Sequence, residues 1–376
     1  MADGSLADAV WDDASSDEAT FADATFADEP SDGAPMDDAP FADTTSRDAP
    51  IGDAPTDTEA DVPQRDATVD GPSGPHDASS WDDTGDAWSD GSAPEASIVT
   101  PTLTSGHYVF TSGSLSFEVD PQVGGRVVSF ALSGQNVLIG LTSNPVNYGS
   151  TFWTSPQSDW NWPPPPEVDN QAYAASISSG TLILQGSKNG ALGVAITKVF
   201  SMDAANGGVS IDYTITNVGA SARSLAPWEV TRVHANGLMF FPTGQQAYSA
   251  DSGPSLPTQE ASGVTWFDAS SASITTSIKF FADAARGWIA QENGGLVFVK
   301  KFKDIPPGFQ APGEAEIEIY ANGNPAYVEL EEQGMYQPIA AGSSQTWTTR
   351  WLLAKLPATV DAGLGSASLV AFVDAL

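Results

Sequence analysis

The stretch "TLILQGSKNGALGVAITKVF" (residues 181–200) decides the fold. Two alternating apolar runs flank Asn189-Gly190, a dipeptide suited to a type I′ turn, and the pattern predicts a β-hairpin. The next segment, "GGVSIDYTITNVG" (207–219), sets Val209, Ile211, Tyr213 and Ile215 on one face and Ser210, Asp212, Thr214 and Thr216 on the other. Period-2 alternation of that kind marks a half-buried strand. Outward from this centre, "SITTSIKFFAD", "GWIAQENGGLVFVKKF", "AEIEIYANG", "AYVELEEQ" and "SSQTWTTRWLLAKL" continue the series. About fifteen strands at this spacing predict an antiparallel sandwich or barrel. Only "ASLVAFVDAL" at the C-terminus reads as a helix, over 366–376. The folded domain is expected to span 98–376.

Residues 1–97 have another character. They hold 26 of the 48 acidic residues of this 376-residue chain but only Arg47 and Arg65 of its 14 Lys and Arg. The units "FAD" and "DAP" recur, and the scattered apolar residues show neither helical nor strand period. Such a segment has too little apolar surface to offset its ordering entropy, so it is expected to be a disordered, acidic, Ala/Asp/Pro/Ser-rich tail. The net charge of -34 also argues against nucleic acid or an anionic bilayer as a partner.

No positively charged, apolar-cored leader follows Met1, and no apolar run of about 20 residues is long enough to span a membrane. The acidic spacer resembles the stretch behind the lipid-anchored cysteine of bacterial surface lipoproteins. A cell-envelope or extracellular location is the expectation if a signal lies upstream of the given start. The chain contains no cysteine, so disulfides, thiolate metal sites and cysteine nucleophiles are excluded. Phosphate-binding loops, dinucleotide fingerprints, the G-x-S-x-G elbow and H-E-x-x-H are missing too. Three scattered histidines do not make a metal centre, and no cofactor is expected. A calcium site near Asp159, Glu167 and Asp169 has no ligand spacing behind it. Nothing in the sequence predicts an oligomer, and a monomer is the default.

The densest chemistry lies in "FWTSPQSDWNWPPPPEVDN" (152–170). Three indoles, Trp153, Trp160 and Trp162, alternate with Gln157, Asp159 and Asn161 ahead of four prolines that restrict the backbone. Flat rings that stack on sugar C–H faces, with amides and acids for the hydroxyls, have this composition. The same indoles would also serve as a plug at one end of a sandwich.

"VGGRVVSFALSGQNVL" (123–138), this tryptophan loop, "PWEVTRV" (227–233) and "YVELEEQGMYQPIAAGSSQTWTTRWLLAKLP" (327–357) together resemble the galactose mutarotase-like, or aldose 1-epimerase-like, superfamily. They are similar in particular to a bacterial family of unknown function assigned to it, and the resemblance covers roughly residues 105–357. It implies an all-β supersandwich with a sugar-sized groove on a concave sheet, and a monosaccharide or oligosaccharide as ligand. It also implies a carboxylate base, which falls on Glu331, and a histidine acid, for which His234 is nearest. Opening an aldose ring requires both groups. Glu229 in "PWE" is the substitute acid if its pKa is raised; otherwise the fold is kept for binding or interaction alone.

Strand alternation places Tyr327, Glu329 and Glu331 on one face, with Val328 and Leu330 behind. Arg232, costly to bury unpaired, is expected to pair with Glu229, Glu329 or Glu331. Arg126 and Trp228 complete the candidate binding residues. Of Lys300, Lys301 and Lys303, at least two are expected to face solvent, while one would suit an anionic sugar.

Overall fold

The computed structural model describes residues 97–376 except 246–248, 251–255, 271–273, 275 and 324–325. The expected disordered tail lies outside the described residues apart from Ser97.

The alternating segments form two large antiparallel sheets. One has 12 strands, and its central run is Ile278–Ala282, Ile317–Gly323, Ala326–Gln333, Arg223–His234, Ser150–Ser155 and Arg126–Leu132. The other has 11 strands, with Leu296–Phe302, Ser344–Lys355, Val209–Asn217 and Val194–Asp203 at its middle. Aromatic rings interlock the facing surfaces. Phe117 and Phe130 of the first sheet meet Trp351 and Phe298 of the second at ring-centroid distances of 5.8 and 5.9 Å. Edge-to-face packing of this kind adds about 0.5–1.5 kcal/mol per pair beyond the apolar burial itself. The all-β sandwich expected from the alternation is therefore the observed architecture.

The strand Val209–Asn217 alternates as read: Val209, Ile211, Tyr213 and Ile215 are buried. The hairpin of 181–200 is present, but its turn differs. Asn189 bridges Val194, and residues 190–193 close a longer loop in which Gly193 takes φ 64°. The Asn189 side chain accepts the Leu192 N–H at 2.6 Å, so it braces the loop in place of supplying a turn corner.

A helix spans Ala367–Ala375, with the Ser366 hydroxyl accepting the Leu369 N–H. Leu369, Val370 and Val373 close over Phe240, Trp266 and Trp288, a second apolar cluster. No helix among the described residues is long and apolar enough to cross a membrane.

Between the sheets lies a fully buried ionic network. Lys300 Nζ pairs with Glu229 Oε2 at 3.2 Å and with Glu332, and it donates to Thr231 Oγ1 and the Leu330 carbonyl. Tyr213 and Trp351 donate to Glu229 at 2.5 and 3.3 Å. Burial lifts both carboxyls, but Lys300 and these donors bring Glu229 below its ordinary value, while Glu332, beside a second negative charge, stays well above it. The network thus sets one lysine between two carboxyl groups shifted in opposite directions. Lys300 is the buried one of the three lysines because consecutive strand residues face opposite ways; Lys301 is half-buried and Lys303 exposed.

Candidate functional site

The outer face of the 12-stranded sheet collects the side chains opposite to that network. On Arg223–His234, Glu229 and Thr231 reach inward to Lys300, so Trp228 and Arg232 project outward. On Ala326–Gln333, Glu332 goes inward and Glu329 and Glu331 outward. The pairing Arg232↔Glu329 and Val230↔Glu331 brings the two rows together. Beyond them, Ile278–Ala282 and Ile317–Gly323 add Lys279, Tyr320 and Glu318.

The tryptophan loop forms the opposite wall. The strand Ser150–Ser155 ends at Pro156, passes a single 3-10 turn at Gln157–Asp159, and reaches the short helix Pro166–Asp169 through the proline run. Its indoles do three different jobs. Trp153 is buried and donates Nε1–H to Asp169 at 2.8 Å. Trp160 is half-buried behind it, its N–H on the Thr154 carbonyl. Trp162 is 55% exposed, with its ring 6.0 Å from that of Trp153. Arg126 anchors the arrangement from below through Asp169 at 3.2 Å. Gly124 permits this: it sits at φ 65°, and a Cβ there would lie 1.9 Å from the Asp169 carbonyl oxygen.

Between sheet and loop lies a cavity of about 460 Å³ lined by Trp153, Trp162 and Trp228, by Gln157, Asn144 and Asn147, and by Arg232, Lys279, Glu329 and Glu331, with Tyr320, Asn322 and Tyr327 at one side. Its electrostatics are specific. Arg232 Nε donates to Glu329 at 2.7 Å and its guanidinium lies 5.4 Å from the Trp153 ring. Lys279 sits 2.5 Å from Glu318, 3.3 Å from Glu331 and 4.6 Å from the Trp228 ring centroid. Burial works against its charge, but the two carboxyls hold it above its ordinary value and hence protonated. Glu318 is itself raised far above the carboxylate range by burial.

Glu331 is the distinctive group. It is 1% exposed, and Trp228 Nε1 donates to its Oε2 at 2.9 Å. Its other oxygen, Oε1, is buried with no hydrogen-bond partner. Burial pushes the carboxyl up to about 7, with Lys279 pulling down and Glu329 adding to the rise. Tyr327, raised by burial, remains a phenol and receives a long 3.4 Å hydrogen bond from Asn147.

Of the residues singled out in the sequence, Glu331, Glu329, Arg232, Trp228, Trp153, Trp162 and Gln157 line this one cavity. Four do not. Glu229 points between the sheets and holds its proton less tightly than an ordinary acid, the reverse of the substitute-acid expectation. His234 is exposed beyond the lining. Arg126 and Trp160 brace the wall from behind. Asp159, Glu167 and Asp169 are engaged separately by Arg223, Asn189 and Arg126. Lys279, Glu318, Asn144, Asn147 and Tyr320 escaped the sequence reading. Lys279 did carry a signal, as a lone cation between Ile278 and Phe280 in a strand.

A family model described as "Domain of unknown function (DUF4380)" matches residues 108–354. No curated protein matches the sequence. Among solved structures, the chain is similar to a galactose mutarotase-like protein from Lactobacillus casei at 10% identity, covering 66% of this chain and 100% of that one with a TM-score of 0.48. It is similar to a galactose mutarotase-like protein from Clostridium acetobutylicum at 9% identity, 66% and 95% coverage and a TM-score of 0.45. A TPR-domain containing protein from Parabacteroides distasonis matches at 13% identity and a TM-score of 0.48 over 68% of this chain and 48% of its own, so the chain spans about half that protein's length.

Proposed function

Because the chain belongs to the DUF4380 family, we propose from the chemistry of its site that it binds a carbohydrate, with Glu331 able to accept a proton from it. One observation carries the reading: Glu331, a carboxyl raised towards neutrality, lines a cavity walled by indoles. The cavity volume falls within the range of small-ligand sites. The exposed Trp162 face suits the apolar side of a pyranose, while Glu329, Arg232, Lys279 and Asn147 suit its hydroxyl rim.

The mutarotase resemblance supports a reaction as well. Glu331 would take the proton of the anomeric hydroxyl while a donor protonates the ring oxygen, the ring C–O bond breaks and the carbonyl forms; closure on the other carbonyl face reverses the transfers. With Glu229 and His234 out of the cavity, the protonated donors that line it are Lys279 and Tyr327. The placement of Glu229 and His234 also favours a second reading, a surface or interaction protein that binds sugar without turnover.

Tryptophan fluorescence, followed while a panel of monosaccharides and oligosaccharides is titrated, tests the binding. A saturable change that is lost in W162A and weakened in E331Q is expected. Silence across the panel would sink the carbohydrate reading. Anomer exchange of a bound aldose, measured by NMR, then separates turnover from binding alone.

A further inference from the structure

At one end of the sandwich, three carboxyl groups from three strand ends meet. Asp283 follows the strand Ile278–Ala282, Asp304 follows Leu296–Phe302, and Glu316 precedes Ile317–Gly323. One carboxylate oxygen from each lies within 4.8 Å of the others. Asp283 and Glu316 are 3% and 0% exposed, whereas Asp304 opens to solvent. No Lys, Arg or His among the described residues forms an ion pair with any of the three. Three acids crowded without a cation repel one another.

A second observation points to a ligand. Asp283 Oδ2 accepts the Gln245 N–H at 2.6 Å, but Oδ1 is buried with no hydrogen-bond partner. The cluster is also held in place. Both Glu316 oxygens receive backbone N–H groups, from Ala284 and Ile305, at 2.8 Å each. Gly244 packs its backbone on Asp283 so closely that a Cβ would lie 2.0 Å from Oδ2. A buried, pre-set group of hard oxygen donors with one lone pair idle is what a hard divalent cation requires.

We infer that Asp283, Asp304 and Glu316 form a binding site for a hard divalent cation, calcium foremost, that ties the two sheets together at this end. Oxygens on opposite sides of a bound Ca²⁺ lie about 4.6–5.2 Å apart, so the observed spread fits inside its coordination shell, and water would fill the positions open at Asp304. The sheets joined are distinct, since Asp304 continues a strand of the 11-stranded sheet while Asp283 and Glu316 flank strands of the 12-stranded one. The cation would act on stability and would not touch the indole-walled cavity. The inference does not depend on the carbohydrate reading.

The test is thermal unfolding of the full chain, stripped with EDTA and then given CaCl₂, MgCl₂ or MnCl₂. Acidic tail residues bind cations diffusely, so the shift in Tm decides and a bulk binding heat does not. Calcium at about a hundred times its Kd should raise Tm by about 5 °C or more. D304N, an exposed change that leaves the fold intact, should require at least about tenfold more calcium for the same shift. D283N should lose the shift. A response to Mg²⁺ or Mn²⁺ that D304N weakens supports the same site with a smaller ion. No shift with any of the three ions, or a shift equal in D304N and D283N to that of the parent, overturns the inference.

Discussion

Replacing Glu331 by Gln should make the protein more stable at neutral pH. In the fold the carboxyl holds its proton up to about pH 7, against 4.5 for an ordinary glutamate. Between those values the folded state binds a proton that the unfolded state has released, so ionisation drains stability as pH rises through this window. About 2.5 pH units at about 1.4 kcal/mol each give a loss of about 3 kcal/mol, complete above pH 7 and nil below about 4.5. Gln keeps an oxygen to accept the Trp228 N–H and carries no charge to desolvate. Lys279 keeps Glu318 as partner. Urea unfolding of parent and E331Q, followed by tryptophan fluorescence from pH 4.5 to 8, reads the difference directly. The curves should coincide at the acid end and diverge to about 2–3 kcal/mol in favour of E331Q at the other. A pH-independent difference, or an E331Q less stable at pH 8, would refute the assignment of a raised pKa to this group and, with it, its fitness as a proton acceptor.

Other outcomes follow from the same geometry. Any sugar turnover should rise with pH and reach half its maximum near pH 7, because Glu331 must be ionised to accept a proton; a profile flat from 5 to 9 in anomer-exchange NMR would contradict this. K300M leaves the buried Glu229 carboxylate without its cation and should cost about 3–5 kcal/mol in urea unfolding, with E229Q in the same chain recovering part of it. W162A should change stability by no more than about 0.5 kcal/mol, while W153A, which empties a buried indole site, should cost about 3–5 kcal/mol; equal effects in the two variants would contradict the division between rim and wall.

Much of this was legible because strand alternation is a local rule. Val209 to Ile215 and the outward row Tyr327, Glu329, Glu331 could be read without any partner strand. The misplacement of Glu229 shows where that rule was available but hard to apply. Glu229 and Arg232 are three residues apart, and in an extended strand an odd separation puts side chains on opposite faces, so the two could never share a cavity. The segment "LAPWEVTRV" is buried along both faces, and no hydrophobic contrast revealed which parity was inside. Lys300 was obscured similarly, since only a contact with the opposite sheet identifies it as the inward member of the Lys300-Lys301 pair. The Asp283, Asp304 and Glu316 cluster joins three sequence-distant strand ends, and no spacing within one segment encodes it.

The neighbours Glu331 and Glu332 put one strand to two unrelated uses, an acid in the cavity wall and a buried partner of Lys300 between the sheets. Losing or gaining a single residue between Tyr327 and Leu330 would trade them, sending one carboxyl from the cavity wall to the space between the sheets and the other out.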